Sequence, residues 1–315
     1  MIEMYSSIVD KQTQYKNNYK NTPVSARDIL SIQIKNNTII SAKWTVIHPT
    51  RKDQYIRMIN DIISKFIIKD GYININVADH PVNGYFNFCR LQGQYNAYLI
   101  PNHRIAFNEF KITSDPSKTL TSHDDIIQYF QMQNASILFE DKIPKVFANG
   151  ILGRGKRLEF VRYALRNLDV CDFYAHNHPA HKYGCQISAQ EIQEVLSVGK
   201  GGSYHQPFEI HNQYKYVLYI DGNTLADRTR LLLMCNSVPI ILKSKWEEFY
   251  TDILFPYENF IPCDNVSDIR SIVEQLEKEP EKSMRIIKNN ERFVKEKFRY
   301  NDILQYTADL INALL

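Results

Sequence analysis

The amino-acid sequence predicts an α/β fold made of two lobes with a cleft between them. Three stretches carry this prediction, because in each a strand-like run stops at turn residues. They are residues 72–77 before Ala78-Asp79-His80-Pro81, residues 145–148 before a glycine-rich loop, and residues 214–220 before Asp221-Gly222-Asn223. A helix-like segment follows the last two turns, as in a parallel α/β sheet. Ligands of such sheets bind beyond the carboxyl ends of the strands.

Composition bounds the class of protein. With 315 residues and 44% hydrophobic content, the chain can form one large or two medium domains. A net charge of +3 is too small to argue for a nucleic-acid partner. The five cysteines are odd in number and scattered, which favours a reducing compartment. We find no signal-peptide pattern and no run of about 18 apolar residues, so we expect a cytoplasmic protein without a transmembrane segment, for which peripheral membrane association is feasible.

The first third of the chain predicts a strand-rich unit. Polar residues 1–23 indicate a surface helix or a loose arm. Apolar residues alternate at Leu30, Ile32 and Ile34 and again in residues 39–46, which predicts two strands. Residues 51–65 have the periodicity of an amphipathic helix. Residues 107–122 are typical of a loop between lobes, and residues 124–133 of a short helix.

Asp79 lies at the carboxyl end of the predicted strand 72–77. The strand alternates cleanly, and Pro81 prevents further pairing. An aspartate at this position can face a cleft. It can equally cap a turn, and the residues alone leave both interpretations open.

The loop over residues 149–155 contains three glycines and opens a predicted helix over residues 157–166. Arg154, Lys156 and Arg157 make this loop suitable for an anionic ligand. Its pattern matches neither a Walker nor a Rossmann fingerprint. A basic surface loop is the alternative interpretation.

Residues 214–242 predict strand, glycine turn, helix and strand. Asn223 or Thr224 is a candidate N-cap for the helix, and a second strand covers residues 238–242. The amino terminus of that helix would suit a phosphate, and Arg228, about one turn into the helix, would add a bidentate cation. An ordinary buried βαβ unit with a solvated Arg228 is the alternative.

Two further segments invite other interpretations. His176, His178 and His181 could bind zinc, but their spacing matches no known zinc motif and Pro179 indicates a loop. We therefore expect no metal. Residues 199–203 resemble half a phosphate loop but lack a preceding strand, which indicates a linker.

Residues 267–278, 281–297 and 300–315 predict three closing helices.

Several motifs together resemble one family. Residues 214–228, Trp246-Glu247-Glu248-Phe249-Tyr250 and residues 256–262 occur in the order and at the spacing of glycosyltransferase family 90, the capsule-associated-protein type. That family includes protein O-glucosyltransferases, fungal capsule xylosyltransferases and bacterial lipopolysaccharide glycosyltransferases. Residues 75–81 resemble its Ile-Asn-Val-x-Asp-Tyr-Pro element, with His80 in place of tyrosine. The resemblance covers about residues 22–314.

The resemblance implies a GT-B architecture with two Rossmann-like lobes. Residues 1–135 would form the acceptor lobe, residues 136–298 the nucleotide-sugar lobe, and residues 299–315 a closing helix that packs back on the first lobe. Asp79 falls on the family's proposed base and Arg157 on its donor-binding arginine. Asn149 stands where the family usually has arginine, so the donor contacts of this loop differ from the usual pattern.

The function implied is inverting, metal-independent transfer of a sugar, glucose or xylose, from a UDP-sugar to a hydroxyl of a glycan, a lipopolysaccharide-like molecule or a protein. No cofactor, metal or nucleic-acid partner is expected. The alternative is an inactive glycan- or nucleotide-binding module on the same fold. Asp79 is the candidate catalytic residue, and the candidate donor-binding residues are Gly150, Leu152, Arg154, Arg157, Asp221, Gly222, Asn223, Thr224 and Arg228.

Overall fold

Two five-stranded β-sheets organise the chain, whose structure is a computed structural model. The structure describes residues 2–22, 24, 27–44, 49–105, 110–112, 115, 117–151, 155–176, 188–198, 208–222, 224–226 and 228–315. Within these ranges the predicted two-part α/β fold is confirmed, because each sheet has helices packed on it and a large buried apolar core.

The amino-terminal part of the chain forms a mixed sheet with three helices. Its elements are α1 (Ile2–Thr13), β1 (Ile29–Lys35), β2 (Thr38–Trp44), α2 (Pro49–Ile63), β3 (Gly71–Asn76), β4 (Phe86–Asn87), β5 (Arg90–Leu91), β6 (Tyr98–Leu99), β7 (Phe110–Lys111), β8 (Thr119–Leu120) and α3 (His123–Ser136). The strand order is β2-β1-β3-β4-β6. β1 is antiparallel to β2 and β3, whereas β3, β4 and β6 are parallel.

The sequence pattern explains this sheet. Alternation along β1 buries Leu30, Ile32 and Ile34 in the same core as Met58 and Ile62 of α2. Each such side chain contributes about 1.5–3 kcal/mol by leaving water. The segment 107–122, expected to be a loop, contains the short pair β7 and β8.

The carboxyl-terminal part forms an all-parallel sheet. Its elements are β9 (Ile143–Ile151), α4 (Lys156–Leu165), β10 (Cys171–His176), α5 (Ala189–Val198), β11 (Tyr214–Tyr219), α6 (Thr229–Leu232), β12 (Val238–Leu242), β13 (Trp246–Glu247), β14 (Ile261–Cys263), α7 (Ile269–Lys278), α8 (Pro280–Lys297) and α9 (Tyr300–Leu314). The order is β10-β9-β11-β12-β14, so the first strand of this unit lies inside the sheet. All five carboxyl ends therefore meet at one edge.

The end of the chain returns to the first core. Ile286 in α8 packs in the second core, whereas Phe293 near its end packs in the first. α9 then lies against α1 and α2. The Tyr306 hydroxyl of α9 donates a 2.6 Å hydrogen bond to the carbonyl of Leu99 in β6.

Of the two alternatives for residues 1–23, a surface helix or a loose arm, the structure has a helix, α1. α1 buries Tyr5 and Ile8, and the Tyr5 hydroxyl donates a 2.7 Å hydrogen bond to the carbonyl of Lys297. These apolar side chains recur at helical spacing between polar ones, so the segment is amphipathic despite its polar composition.

Among the described helices, none is long and apolar enough to cross a bilayer.

Candidate active site

Asp79 lies on a short loop just beyond the end of β3. Its side chain is 53% exposed, and its Oδ1 lies 2.9 Å from Nη1 of Arg51 on α2. The same Nη1 donates a 2.8 Å hydrogen bond to the carbonyl of Val77. One guanidinium group therefore contacts both the carboxylate and the main chain that precedes it, which fixes the direction of the carboxylate.

Two buried amide side chains hold the loop that carries Asp79. Asn76 Nδ2 donates to the carbonyl of His80 at 2.6 Å and to Oδ1 of Asn87 at 2.9 Å, while its Oδ1 accepts from the N–H of Ala78 at 3.1 Å. Asn87 bonds both the N–H and the carbonyl of Val82. These bonds span both sides of Asp79, so its position is set by buried groups and not by solvent.

Sequence reasoning missed Asn76 and Asn87. A signal was available, because asparagine is depleted in strands and an asparagine at the end of an apolar strand indicates a side chain that bonds nearby backbone. Arg51 was also missed, since nothing in its own segment relates it to Asp79.

Arg157 and Arg228 line one pocket in the second lobe. The pocket is a shallow space between the sheet and α4 that is partly open to solvent. Asn149 also lines it, at the position where the resemblance placed a departure from the usual arginine. Apolar and aromatic residues form the rest of the lining: Ala148, Phe160, Val161, Phe173, Tyr174, Leu218 and Ile220. The two predicted arginines therefore converge on one space, which suits an anionic group with an apolar neighbour.

The Asp221 segment connects this pocket to the neighbouring loop. Arg157 Nε donates a 2.8 Å hydrogen bond to the main-chain carbonyl of Asp221, and Ser244 and Tyr219 donate to its Oδ1 at 2.9 and 3.0 Å. Burial raises the pKa of Asp221, and these two hydrogen bonds oppose the rise. A Cβ at Gly222 would lie 3.2 Å from Nη2 of Arg157, so glycine permits this close approach.

A buried histidine, His211, lies near Arg228. The rings of Phe208 and Phe147 pack on it, with ring centroids 4.1 and 4.9 Å away. Burial, and then the charge of Arg228, lower the pKa of His211 to about 3. The Phe208 carbonyl lies 2.8 Å from Nδ1, so the neutral ring carries its proton there. His211 thus presents a neutral aromatic surface beside a cation.

The two lobes meet beside Asp79. β13 pairs with β5 of the first lobe, and Arg90 and Glu247 form a buried ion pair of 2.8 Å across this pair of strands. The rings of His80 and Trp246 lie 6.4 Å apart across the same junction. These contacts bring the loop after β3 next to the second lobe.

The buried thiol of Cys89 lies at the junction of the lobes, where it packs with Trp246 and donates a 3.6 Å hydrogen bond to the main-chain carbonyl of Asp79. Its pKa is raised to about 12, first by burial and then by the negative charges of Glu248, Asp79 and Asp221. Asp79 belongs to the first lobe and Asp221 to the second. Both are therefore within electrostatic reach of one buried sulfur, as a site between the lobes requires.

The structure corrects two expectations about the loops. The helix expected after Gly222, with Asn223 or Thr224 as its cap, begins only at Thr229, and Arg228 occupies the N-cap position. The Tyr219 hydroxyl accepts the N–H of Ala226 at 3.1 Å, so Ala226 is bonded back to the end of β11. Four residues make too short a helix to stabilise a phosphate by its dipole, so that part of the prediction is wrong.

The glycine-rich loop also begins later than expected. Asn149 and Gly150 belong to β9, which continues to Ile151, because they pair with Tyr174 and Ala175 of β10. Gly155 precedes α4 with φ 60° and ψ −134°, a conformation that favours glycine. α4 therefore presents Lys156 and Arg157 in its first turn.

Some of the predicted site residues lie outside the described residues. These are Leu152, Arg154 and Asn223, together with most of the 176–181 histidine segment and residues 199–203. Thr224 is described and is buried. In the part of the chain that the structure describes, no group of three histidine, cysteine, aspartate or glutamate residues is placed to hold a metal ion.

Comparison with known proteins relates the chain to sugar transfer. The pattern of Glycosyl transferase family 90 matches residues 16–314. The chain is 27% identical to O-glucosyltransferase rumi of Drosophila pseudoobscura pseudoobscura over 109 residues, which are 34% of this chain and 27% of that protein. It is 22% identical to Protein O-glucosyltransferase 1 of Homo sapiens over 103 residues, 32% and 26% of the two chains. The aligned stretches thus span about a quarter of these relatives.

Solved structures with some likeness include two bacterial proteins. Anabaena Alr3699/HepE in complex with UDP has a TM-score of 0.41 at 11% identity, covering 60% of this chain and 52% of that chain. The pneumococcal O-GlcNAc transferase GtfA in complex with UDP and GlcNAc has a TM-score of 0.42 at 11% identity, covering 92% and 52%.

Proposed function

The chain belongs to glycosyltransferase family 90, and from this premise we propose that it transfers a sugar from a UDP-sugar to an acceptor hydroxyl in the cleft between its lobes. One observation carries the proposal. Arg157 and Arg228 converge on a pocket in the second lobe, while the Asp79 loop of the first lobe adjoins the second lobe through the pair of β5 and β13. Cations for a diphosphate and a carboxylate for a hydroxyl are the two groups that this reaction needs.

Asp79 is the general base of the proposed reaction. A sugar hydroxyl is a weak nucleophile, so its proton must leave as its oxygen attacks the anomeric carbon. The carboxylate is half exposed and held in direction by Arg51, so it can accept that proton without moving. The proton passes to Asp79, a bond forms between the acceptor oxygen and the anomeric carbon, and the bond from that carbon to the phosphate oxygen breaks.

Arg157 and Arg228 stabilise the departing UDP. The leaving group gains negative charge as the bond to the sugar breaks, and preorganised cations in a partly buried pocket stabilise that charge. The first turn of α4 adds backbone N–H groups beside Arg157. With two guanidinium groups at this position, the proposed transfer requires no metal ion.

A single base on the acceptor side favours inversion at the anomeric carbon. Retention by double displacement needs a carboxylate nucleophile about 5 Å from the acid or base. The main-chain carbonyl of Asp221 accepts from Arg157 of the donor pocket, and Ser244 and Tyr219 both donate to its Oδ1. It is held by these side chains as a structural group, which leaves Asp79 as the residue that acts.

Glucose is the donor sugar that we propose first, because two of the relatives are named O-glucosyltransferases, and xylose is second. The acceptor hydroxyl belongs to a glycan, a lipopolysaccharide-like molecule or a protein. We propose the cytoplasm as the site of action, since Cys89, Cys171, Cys235 and Cys263 are buried free thiols.

A nucleotide-sugar hydrolysis screen tests the proposal without knowledge of the acceptor. The purified protein is incubated with UDP-glucose, UDP-xylose and the corresponding GDP- and ADP-sugars, and release of nucleoside diphosphate is followed with and without EDTA. We expect release from a UDP-sugar that continues in excess EDTA. Release that stops with EDTA and returns with Mn²⁺ would contradict the metal-free mechanism, and release from none of the UDP-sugars would contradict the function.

A further inference from the structure

Trp44 is an exposed aromatic residue at the cleft edge of the first sheet. The residue is 47% exposed, whereas the other tryptophan, Trp246, is 8% exposed. β2 and β3 are both antiparallel to β1, so they run in the same direction and their carboxyl ends lie at the same edge. Leu30 of β1 pairs with Trp44 on one side and with Ile75 on the other. The Cα atoms of Trp44 and Ile75 are therefore two strand spacings apart, about 10 Å.

One turn of α2 links this tryptophan to the Asp79 carboxylate. Lys52 Nζ lies 3.7 Å from the centroid of the Trp44 ring, and its neighbour Arg51 lies 2.9 Å from Asp79 Oδ1. Lys52 also pairs with Asp53 at 2.9 Å. Consecutive residues of one helix therefore hold the indole ring and the carboxylate in a fixed relation.

An indole ring in this position has the properties of a saccharide-binding surface. Its face is flat, apolar and electron-rich, so it attracts cations and polarised C–H groups. A pyranose ring presents such C–H groups on one face and hydroxyl groups around its rim. Lys52, at the ring, supplies a hydrogen-bond donor for those hydroxyls.

We propose that Trp44 is an acceptor subsite, on which a hexopyranose of the acceptor stacks while a hydroxyl of the same or the adjoining sugar reaches Asp79. This inference rests on the proposed function and makes the acceptor a saccharide and not a polypeptide. The Cα atoms of Trp44 and Ile75 lie about two strand spacings apart, a separation that one or two sugar units can bridge. Trp44 binds and positions the acceptor, and it takes no part in the proton transfer.

Binding at Trp44 can be observed directly, because the chain contains two tryptophans. Protein labelled with 5-fluorotryptophan should give two ¹⁹F resonances, which the Trp44→Phe variant assigns. We expect methyl β-glucopyranoside, methyl β-galactopyranoside or methyl α-mannopyranoside, added with UDP, to shift the Trp44 resonance in a saturable manner. No shift with any of the three at their highest soluble concentration overturns the subsite.

Kinetics separate the subsite from the reaction itself. With a saccharide that accepts sugar, Trp44→Ala should raise the KM for the acceptor by about two- to tenfold, the value of an aromatic stacking contact, and leave kcat and UDP-sugar hydrolysis unchanged. The acceptor KM of Trp44→Phe should lie between those of the unmodified protein and Trp44→Ala. Phe255→Ala is the matched control, since Phe255 is 55% exposed on the second lobe.

The outcomes distinguish the two proposals. Normal UDP-sugar hydrolysis with transfer only to a serine-containing polypeptide overturns the saccharide subsite and leaves the proposed function intact. Equal acceptor KM in Trp44→Ala and Phe255→Ala also overturns the subsite. Absence of hydrolysis in every variant, the unmodified chain included, contradicts the proposed function, and the ¹⁹F titration then decides the subsite by itself.

Discussion

Removal of the Arg228 guanidinium should weaken UDP binding and leave the fold intact. Arg228 lines the pocket together with Arg157, so a bound diphosphate would receive charge-assisted hydrogen bonds from both. A hydrogen bond to a charged group is worth about 1.5–3 kcal/mol, which corresponds to roughly a tenfold to hundredfold rise in the Kd of UDP for Arg228→Ala.

Titration calorimetry with UDP measures this change directly. Arg228→Lys keeps the charge but loses the planar pair of donors, so its Kd should lie between those of the unmodified protein and Arg228→Ala. Arg162→Ala is the matched control, because Arg162 lies on α4 in an exposed ion pair with Glu191. Unfolding in urea is measured for each variant to exclude a loss of fold.

The refuting result is an unchanged Kd in Arg228→Ala together with normal stability. It would remove Arg228 from the donor site. The pKa of His211 checks separately that Arg228 lies beside that histidine. The charge of Arg228 lowers this pKa, so Arg228→Ala should raise it.

Further predictions concern the residues around the site. Arg51→Met should lower kcat by about ten- to hundredfold through misplacement of Asp79, with UDP affinity unchanged, and steady-state kinetics with Arg51→Lys as a partial rescue would check this. Asn87→Leu should destabilise the fold by about 1–3 kcal/mol in urea, because it removes the hydrogen bonds that the buried Asn87 side chain makes to Asn76, Val82 and Tyr85. The pKa values of His123 and His211 are both lowered to about 3 by burial, so the unfolded chain binds protons that the folded chain does not. Stability should therefore fall as pH decreases from about 6.5, by about 1.4 kcal/mol per pH unit for each histidine, and His211→Phe should reduce the slope of unfolding free energy against pH by about that amount.

The second sheet was the part of the fold that the sequence predicted best. The strand predicted over residues 238–242 is β12, and the strand predicted over residues 214–220 is β11 with one residue fewer. Parallel strands buried on both faces are long apolar runs, so local pattern suffices to find them. The first sheet was harder, because β4 and β6 have two residues each and are held by neighbours distant in sequence.

The site could be predicted only where it follows from strand ends. Asp79, Arg157 and Arg228 each come after or near a strand end, and the structure places the two arginines in one pocket. Arg51 contacts Asp79 from a helix 28 positions earlier, and no local pattern encodes such a contact. The helix predicted directly after Gly222 begins only at Thr229, because the N–H of Ala226 bonds the Tyr219 hydroxyl, and contacts of this kind override local propensity.

The Asp79→Asn variant tests the central claim most directly. Asparagine keeps the size of the side chain but cannot accept the acceptor proton, so transfer should fall by about 10²–10⁴-fold. UDP affinity should be unchanged because the donor pocket is on the other lobe, and stability should change by less than about 1 kcal/mol because the ion pair with Arg51 is partly exposed. Two quantities are measured for Asp79→Asn: the transfer rate per folded molecule and the free energy of unfolding. Asp10→Asn, on the exposed face of α1, is the control. A variant that unfolds more easily yet transfers sugar at a near-normal rate would show that Asp79 caps a turn and is not the base.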